Sequence, residues 1–219
     1  MICLLCGNES HVLPSWRRLF CNDIEETVCK NCKGRFEKAG PGCRKCGLPG
    51  EEECRDCREW ETTRFRGVIH SGRSLYVYND AMKAFLHQYK FLQDAALSAV
   101  FAADLNSALK KEMAAVVPIP MKRENLKERT FAQVDLALEA AELPYVHLLH
   151  KTGGVQGKKN RAERMAAEEL FAWNGKAVPK RIILVDDLYT TGTTMRHAAK
   201  VLEEAGAEEI RLFSMIRAY

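Results

Sequence analysis

Two adjacent carboxylates, followed by a turn of small hydroxyl residues, carry the clearest chemistry in this chain of 219 residues. Asp186 and Asp187 end an apolar run, and YTTGTT follows closely before a helical pattern begins. A turn and the N-terminus of a helix offer backbone N–H groups and partial positive charge, which suit a phosphate. The two carboxylates would repel a second phosphate but would accept hydrogen bonds from sugar hydroxyls. The segment, residues 182–194, therefore predicts a ribose 5-phosphate site.

An ordinary strand–turn–helix with threonine caps and a solvated acidic pair is the alternative interpretation of this segment. Capping does not require two consecutive acids after an apolar strand. In an open parallel sheet, ligands bind at the carboxyl ends of the strands, and the acidic pair falls at such an end. We therefore favour the ligand site.

Eight of the nine cysteines form four C-x-x-C pairs within the first 57 residues. The pairs are Cys3/Cys6, Cys29/Cys32, Cys43/Cys46 and Cys54/Cys57, and Cys21 stands outside them. Each pair presents two thiolates to one tetrahedral ion, so four pairs predict two closed four-cysteine zinc sites. Closed sites leave no open coordination position, so we expect structural zinc and no metal catalysis. Redox-active or unligated cysteines are the alternative.

The order of the pairs favours sequential zinc sites. A glycine follows the first pair and the third, as Cys6-Gly7 and Cys46-Gly47, and a plain pair comes next in each case (CKNC, then CRDC). This repeat predicts one site from the first two pairs and a second site from the last two. A crossed arrangement of the pairs stays open.

Two basic segments could neutralise phosphates. Lys122 and Arg123 follow the predicted strand AAVVPIP and could bind a diphosphate. Residues 151–165 carry five basic side chains and one acidic one. This second segment could close over a bound ligand or contact nucleic-acid phosphates, and the residues that we single out in it are Lys158, Lys159 and Arg161. A merely solvated turn and loop are the alternatives.

Strand and helix patterns alternate from about residue 64 onward, which predicts an α/β fold with a parallel sheet covered on both faces. The predicted strands lie at residues 114–120, 145–149, 181–185 and 210–216. The predicted helices begin after Asn79 or Asp80, cover about 94–111 and 131–142, and end before Gly206. The candidate ribose 5-phosphate site then lies where a strand meets the last of these helices.

Composition and charge favour a globular chain in two parts. No stretch approaches the roughly 20 apolar residues of a membrane span, and residues 1–6 are too short for a signal segment, so we expect a cytoplasmic protein. Residues 1–60 lack the periodicity of a packed core, and metal must replace it; the α/β domain then covers 61–219. The formal charge of +4 falls near zero once eight thiolates and two zinc ions are counted. Global charge therefore does not argue for nucleic acid.

The segment 182–194 resembles the signature of type I phosphoribosyltransferases. The resemblance implies that Asp186 and Asp187 hold the ribose 2- and 3-hydroxyls of phosphoribosyl pyrophosphate (PRPP), with magnesium bound through the diphosphate and hydroxyls. It places the family's pyrophosphate loop at Lys122 and Arg123. The residues that it implies around the 5-phosphate form the phosphate loop (residues 190–194): Thr190, Thr191, Gly192, Thr193 and Thr194.

A double zinc ribbon fused to such a domain resembles the ComF family, and in particular its ComFC-like late competence members. Segments 76–91, 117–133 and 152–171 also carry the resemblance. It implies a cytoplasmic protein that assists the uptake and handling of single-stranded DNA in natural transformation, beside a helicase-type ATPase. Family members usually read R-G-F-N-Q where this chain has RTFAQ at 129–133, so we carry no role over to that loop.

Two other functions stay open at this point. The chain could be an active phosphoribosyltransferase that transfers ribose 5-phosphate from PRPP to an unknown base or amine. No segment clearly reads a nucleobase, which weakens this alternative. The chain could also be a scaffold that binds a protein partner and retains a relic site.

Overall fold

The computed structural model describes residues 1–9, 24–121, 126, 128, 130–152 and 170–218. Its strands, numbered in chain order, are β1 (Ser71–Val77), β2 (Ala115–Pro118), β3 (Leu149–Lys151), β4 (Phe171–Trp173), β5 (Arg181–Tyr189) and β6 (Glu209–Arg217). Its helices are α1 (Lys30–Lys33), α2 (Arg55–Trp60), α3 (Asp80–Phe91), a 3-10 helix (Ala95–Phe101) that leads into α4 (Ala102–Leu109), α5 (Gln133–Ala140) and α6 (Thr193–Glu204). None of these helices is long and apolar enough to span a membrane.

A parallel sheet organises the α/β part of the chain, as the alternation of patterns predicts. Its strand order is β1-β6-β5-β2, and every pairing within it is parallel. The carboxyl ends of the four strands therefore lie along one edge of the sheet, which is where an open α/β fold binds its ligands. A separate antiparallel pair joins β3 to β4.

The central strand β5 is longer than the sequence predicts. The expected strand ends at residue 185, whereas β5 continues to Tyr189 and includes both aspartates. The reason is its neighbour, because β6 continues the ladder and pairs with Asp186 through Ser214 and with Tyr189 through Arg217. The acidic pair is thus held on a hydrogen-bonded strand instead of a loop.

The predicted strand at residues 145–149 is wrong. The strand in this region is β3, which begins at Leu149 and pairs with β4. The residues before it run beside β2, where the Val146 N–H donates to the carbonyl of Val116 at 3.0 Å. A short run of residues with high β-propensity predicts an extended backbone, but the neighbouring strand determines which residues join a hydrogen-bonded ladder.

The helix ends follow the capping signals. Asn79 caps α3 and accepts a hydrogen bond from the Met82 N–H at 3.0 Å. The helix predicted over residues 94–111 starts as a 3-10 helix, with Asp94 accepting from the Ala96 N–H, and becomes α-helical only at Ala102. Helix α6 ends as predicted before Gly206, whose φ of +110° suits a residue without a Cβ.

Two layers cover the sheet, and each contains one part of the cysteine-rich segment. On one face, α3, the 3-10 helix, α4 and α5 form a hydrophobic cluster that includes Phe36 and Cys3. On the other face, α6 packs beside residues 43–69, with Trp60 and Phe65 fully buried. The N-terminal residues therefore share the cores of the α/β fold. A division of the chain after residue 60 stays a prediction.

Candidate functional site

The acidic pair lies half-buried near the carboxyl end of β5. The Asp187 N–H donates to Oδ1 of Asp186 at 2.9 Å, which fixes the direction of that carboxyl. Successive residues of a strand point to opposite faces, so the two carboxylates do not share one side of the ladder. They nevertheless sit at the same edge of the sheet as the start of α6, as the sequence predicts.

A lysine from another element reaches the acidic pair. The Nζ of Lys90, in the last turn of α3, forms an ion pair with Oδ2 of Asp187, and the two side chains are only 13% and 16% exposed. Sequence reasoning missed Lys90, because a lysine in the last turn of a helix ordinarily complements the helix dipole. The contact depends on how α3 packs on the sheet, which local spacing does not reveal.

The environment of Asp186 makes it titrate near neutral pH. Burial raises the pKa of Asp186 to about 7, and the negative charge of Asp187 acts in the same direction. The positive charges of Lys90 and Lys151 oppose this shift. Asp186 therefore exchanges its proton in the range where most carboxyls are fully ionised.

The phosphate loop leads directly into α6. Gly192 precedes the first residue of that helix with a φ of +79°, a left-handed conformation that glycine adopts without strain. A Cβ at this position would lie 2.0 Å from the hydroxyl of Tyr189, so the turn cannot accept a larger residue without rearrangement. The hydroxyls of Thr191 and Thr193 are 3.1 Å apart and share a hydrogen bond. The first turn of a helix leaves N–H groups without intrahelical acceptors, and these are available to an anion.

The structure thus brings the predicted loop residues and the acidic pair together, but it does not describe the predicted basic residues. The residues predicted to bind pyrophosphate or other anions lie outside the described residues: Lys122, Arg123, Lys158, Lys159 and Arg161. The segment 151–165 begins at Lys151, which is described. Its charge lowers the pKa of Asp186, so the start of this basic segment lies near the acidic pair.

The cysteines form two groups whose ligand atoms lie within 4.8 Å of one another. Cluster I contains Cys3, Cys6, Cys29 and Cys32, and cluster II contains Cys43, Cys46, Cys54 and Cys57. This is the sequential arrangement that the glycine repeat predicts. Gly7 and Gly47 both have a φ of +70°, and their N–H groups donate to the carbonyls of Cys3 and Cys43 at 2.9 and 2.7 Å.

The sulfur geometry of both clusters fits a tetrahedral zinc ion. Cys6 and Cys29 have an Sγ–Sγ distance of 3.9 Å, and Cys46 and Cys54 one of 3.6 Å. Four thiolates at the usual Zn–S bond length lie about 3.8 Å apart at the corners of a tetrahedron. Eight soft sulfur ligands in two closed sets favour zinc over magnesium or calcium. Both clusters could therefore hold a structural zinc ion.

The thiols of cluster II differ in their pKa values. A hydrogen bond from Cys57, against the opposing effect of burial, lowers the pKa of Cys46 to about 5. Burial raises the pKa of Cys54 to about 11, and the nearby charge of Cys46 contributes to this shift. Four thiolates at this spacing need a cation, so metal binding and thiol deprotonation are linked.

Two buried arginines connect cluster II to the phosphate-loop region. Nη2 of Arg196 donates to Sγ of Cys57 at 3.1 Å, and Nη2 of Arg217 lies 3.8 Å from Sγ of Cys46. Sequence reasoning missed both residues. The signal that could have found Arg196 is weak: it is a charged residue among the apolar positions of α6.

Comparisons with known proteins identify a domain and two full-length relatives. A family model described as a phosphoribosyl transferase domain matches residues 152–218. Competence protein ComFC of Streptococcus pneumoniae (strain ATCC BAA-255 / R6) is 39% identical over 225 residues, with 99% of this chain and 100% of the relative covered. Competence protein ComFC of Bacillus subtilis (strain 168) is 38% identical over 229 residues, with 99% and 95% covered.

A solved structure of the allosteric regulatory enzyme of purine biosynthesis is also similar. It is 22% identical, with 56% of this chain and 26% of that chain covered, and the TM-score is 0.36. An overlap of this size carries no argument about function.

Proposed function

The chain belongs to the ComFC family of competence proteins, and on that premise we propose that it binds PRPP while assisting the handling of single-stranded DNA. In this proposal the phosphate loop binds the 5-phosphate, and Asp186 and Asp187 accept hydrogen bonds from the ribose hydroxyls. Magnesium accompanies the diphosphate. The protein acts in the cytoplasm, beside a helicase-type ATPase, with residues 1–60 as a zinc module and 61–219 as the phosphoribosyltransferase-like domain.

The observation that carries the PRPP site is the position of the acidic pair relative to the loop. Asp186 and Asp187 lie on β5, only a few residues before Gly192 and the first turn of α6. Donors for a phosphate and acceptors for sugar hydroxyls are thus separated by one short turn. A helix N-terminus without carboxylates would suit any anion, whereas this pairing suits a phosphorylated sugar.

Lys90 contacts the acidic pair directly. Its ion pair with Asp187 compensates the charge of one carboxylate of the acidic pair. The ribose hydroxyls and the magnesium–diphosphate must share or replace this partner when PRPP binds. The proposal therefore assigns Lys90 to the site, although the sequence patterns do not single it out.

Calorimetric titration with PRPP and magnesium tests the site. The zinc-loaded wild type should show saturable binding, and Asp186→Asn/Asp187→Asn should lose at least about tenfold in affinity, because two charge-assisted hydrogen bonds disappear. The matched control is Asp80→Asn, an exposed acid in the first turn of α3, which should bind as the wild type does. Absence of binding to the wild type, or equal binding by the double variant, would contradict the proposal.

The DNA component rests on the basic segment 151–165 and on the family. The proposal requires a higher affinity for single strands than for duplex. Contacts with phosphates make binding salt-dependent, so this affinity should fall steeply between about 50 and 200 mM salt. The variant Lys158→Gln/Lys159→Gln/Arg161→Gln should weaken binding and flatten the salt dependence. Unchanged affinity in this variant would remove the segment from the DNA site.

Transfer of ribose 5-phosphate to an acceptor is a second candidate function. The observation in its favour is Asp186, whose burial raises its pKa to about 7, because acid–base catalysis is most efficient with a group that titrates near the working pH. A screen of bases and amines for pyrophosphate release, with and without single-stranded DNA, tests it. Release that disappears in Asp186→Asn would establish turnover, and no release with any acceptor would leave binding as the function of the site.

A further inference from the structure

Helix α2 connects cluster II to the phosphate loop. It begins directly after Cys54, contains Cys57 and ends at Trp60. Cys57 and Trp60 are three residues apart, so both project from one side of the helix. The indole Nε1–H of Trp60, which is fully buried, donates to the carbonyl of Thr191 at 3.0 Å. A residue of the cysteine-rich segment thus holds the backbone of the loop.

Arg196 makes a second connection, from the first turns of α6. Its guanidinium is 1% exposed and donates from Nη2 to Sγ of Cys57 at 3.1 Å and from Nη1 to the Tyr189 hydroxyl at 2.6 Å. The same guanidinium stacks on the Trp60 ring at 5.0 Å. A Cβ on Gly192 would lie 2.5 Å from Nη1, so the turn of the phosphate loop rests directly on this arginine.

Arg217 makes the third connection, from the end of β6. It is 2% exposed, and its Nη2 lies 3.8 Å from Sγ of Cys46. Its Nη1 donates to the carbonyl of Thr190 at 2.9 Å, and the guanidinium stacks on the Tyr189 ring at 4.5 Å. The first residue of the phosphate loop and the helix that follows the loop are therefore both connected to sulfurs of cluster II.

Charge balance makes this arrangement depend on the state of the cluster. Four thiolates around one zinc ion carry two negative charges, and the two buried guanidiniums carry two positive ones. A buried charge without a partner is strongly unfavourable, so the arginines need the thiolates as much as the thiolates need a cation. The ion holds the four sulfurs in one place, so its loss releases the sulfurs of Cys57 and Cys46 that keep Arg196 and Arg217 in position.

We propose that cluster II, when it holds zinc, keeps the phosphate loop in its binding conformation through the positioning residues Trp60, Arg196 and Arg217. Cluster I lies on the opposite face of the sheet and has no such role. The inference rests on the proposed PRPP site only for the identity of the ligand that the loop binds. The coupling itself can be measured without PRPP, by the protection of the loop backbone.

Hydrogen exchange measured by mass spectrometry tests the coupling. The wild type with two zinc ions is compared with two variants. Cys43→Ser disables cluster II without removing a sulfur that contacts an arginine. Cys6→Ser disables cluster I at an exposed thiol. The peptide around residues 189–196 should exchange at least about tenfold faster in Cys43→Ser only, since its local opening becomes easier. Equal protection in all three proteins would overturn the proposal.

Two substitutions of tryptophan by phenylalanine separate coupling from loss of fold. Trp60→Phe keeps the aromatic packing but removes the donor to Thr191. The variant should retain two zinc ions. Its loop peptide should exchange faster, and its PRPP binding should be about three- to tenfold weaker. Trp173→Phe, the control, removes a similar bond to the Lys176 carbonyl at the surface and should change neither property. If Trp60→Phe leaves loop exchange unchanged, the proposal fails.

PRPP provides a reciprocal readout, since a ligand favoured by the zinc-bound state must in turn favour zinc. PRPP with magnesium should slow the release of one zinc ion to a zinc-selective chelator, and in Cys6→Ser the remaining ion should be the protected one. PRPP that binds tightly but slows neither release would refute the coupling and leave the PRPP site intact. Absence of PRPP binding, with loop exchange still dependent on cluster II, would refute the proposed function and leave the coupling intact.

Discussion

Lys90 and Asp187 form an ion pair between the last turn of α3 and the carboxyl end of β5. The pair joins α3 to the strand that carries the acidic pair, and both side chains are largely buried. Burial and the charge of Asp187 raise the pKa of Asp186, the preceding residue in the strand, and the charge of Lys90 opposes this shift. Lys90, together with Lys151, therefore limits the upward shift in the pKa of Asp186.

Replacing Lys90 by methionine should lower the free energy of unfolding by about 1–3 kcal/mol, because a half-buried carboxylate loses its partner. Denaturant unfolding at pH 7.5 measures the effect. Lys83→Met, at an exposed position of the same helix, is the control and should change stability by less than about 0.5 kcal/mol. Equal effects of the two substitutions would mean that the ion pair contributes nothing to folding.

Asp186→Asn should stabilise the protein increasingly as pH rises. In the unfolded chain Asp186 ionises near its ordinary pKa, whereas in the folded protein burial raises the pKa to about 7. Between these two values the folded state holds a proton that the unfolded state has lost, so wild-type stability falls as pH rises through this window. The loss is complete above the folded-state pKa.

Asparagine has no charge to bury, so the difference in stability between Asp186→Asn and the wild type should grow by about 1–3 kcal/mol between pH 5 and pH 7.5. Thermal or denaturant unfolding of both proteins across this range measures it. A difference that does not change with pH would show that Asp186 titrates normally. Gain of stability with loss of PRPP affinity would be the signature of a binding residue.

Replacing Thr130 by glycine should stabilise the folded protein. Its φ is +65°, in the left-handed region, which costs a residue with a Cβ roughly 1–2 kcal/mol. Thr130→Gly should raise the free energy of unfolding by about 0.5–1 kcal/mol after the entropy of glycine is subtracted, measured from the denaturant midpoint. Thr130→Ala keeps a Cβ and should give no gain, so equal gains from both would exclude backbone strain as the cause.

Metal analysis should find two zinc ions per chain, since the eight cysteines form two closed groups. Cys32→Ser and Cys54→Ser should each retain about one ion, because three thiolates bind a structural zinc far less tightly than four. Elemental analysis of protein purified with zinc measures the ratio. One ion in the wild type, or two in either variant, would contradict the assignment of the clusters.

Short-range chemistry could be predicted from the sequence with success. The C-x-x-C spacing and the glycine after Cys6 and Cys46 define the sequential clusters that the structure shows. The α/β class, the parallel sheet and the position of the acidic pair before α6 follow from apolar runs and capping residues that are close together in the chain. Each of these predictions rests on a local pattern: the spacing within a cysteine pair, an apolar run or a capping residue.

Contacts between distant residues could not be predicted in this way. Arg196 and Cys57 are 139 residues apart, and Arg217 and Cys46 are 171 apart, so no local pattern shows that they meet. The extension of β5 to Tyr189 depends on its pairing with β6, and the position of Lys90 depends on the packing of α3. These contacts arise from the tertiary arrangement, and they include most of the residues that hold the phosphate loop.

A crystal structure of the zinc-loaded protein with PRPP and magnesium tests the central claim most directly. The account predicts the 5-phosphate within hydrogen-bond distance of the backbone N–H groups of the phosphate loop, with the ribose hydroxyls on Asp186 and Asp187. It also predicts that Trp60 still donates to the carbonyl of Thr191. A 5-phosphate bound elsewhere, or a ligand that leaves the acidic pair untouched, would contradict it.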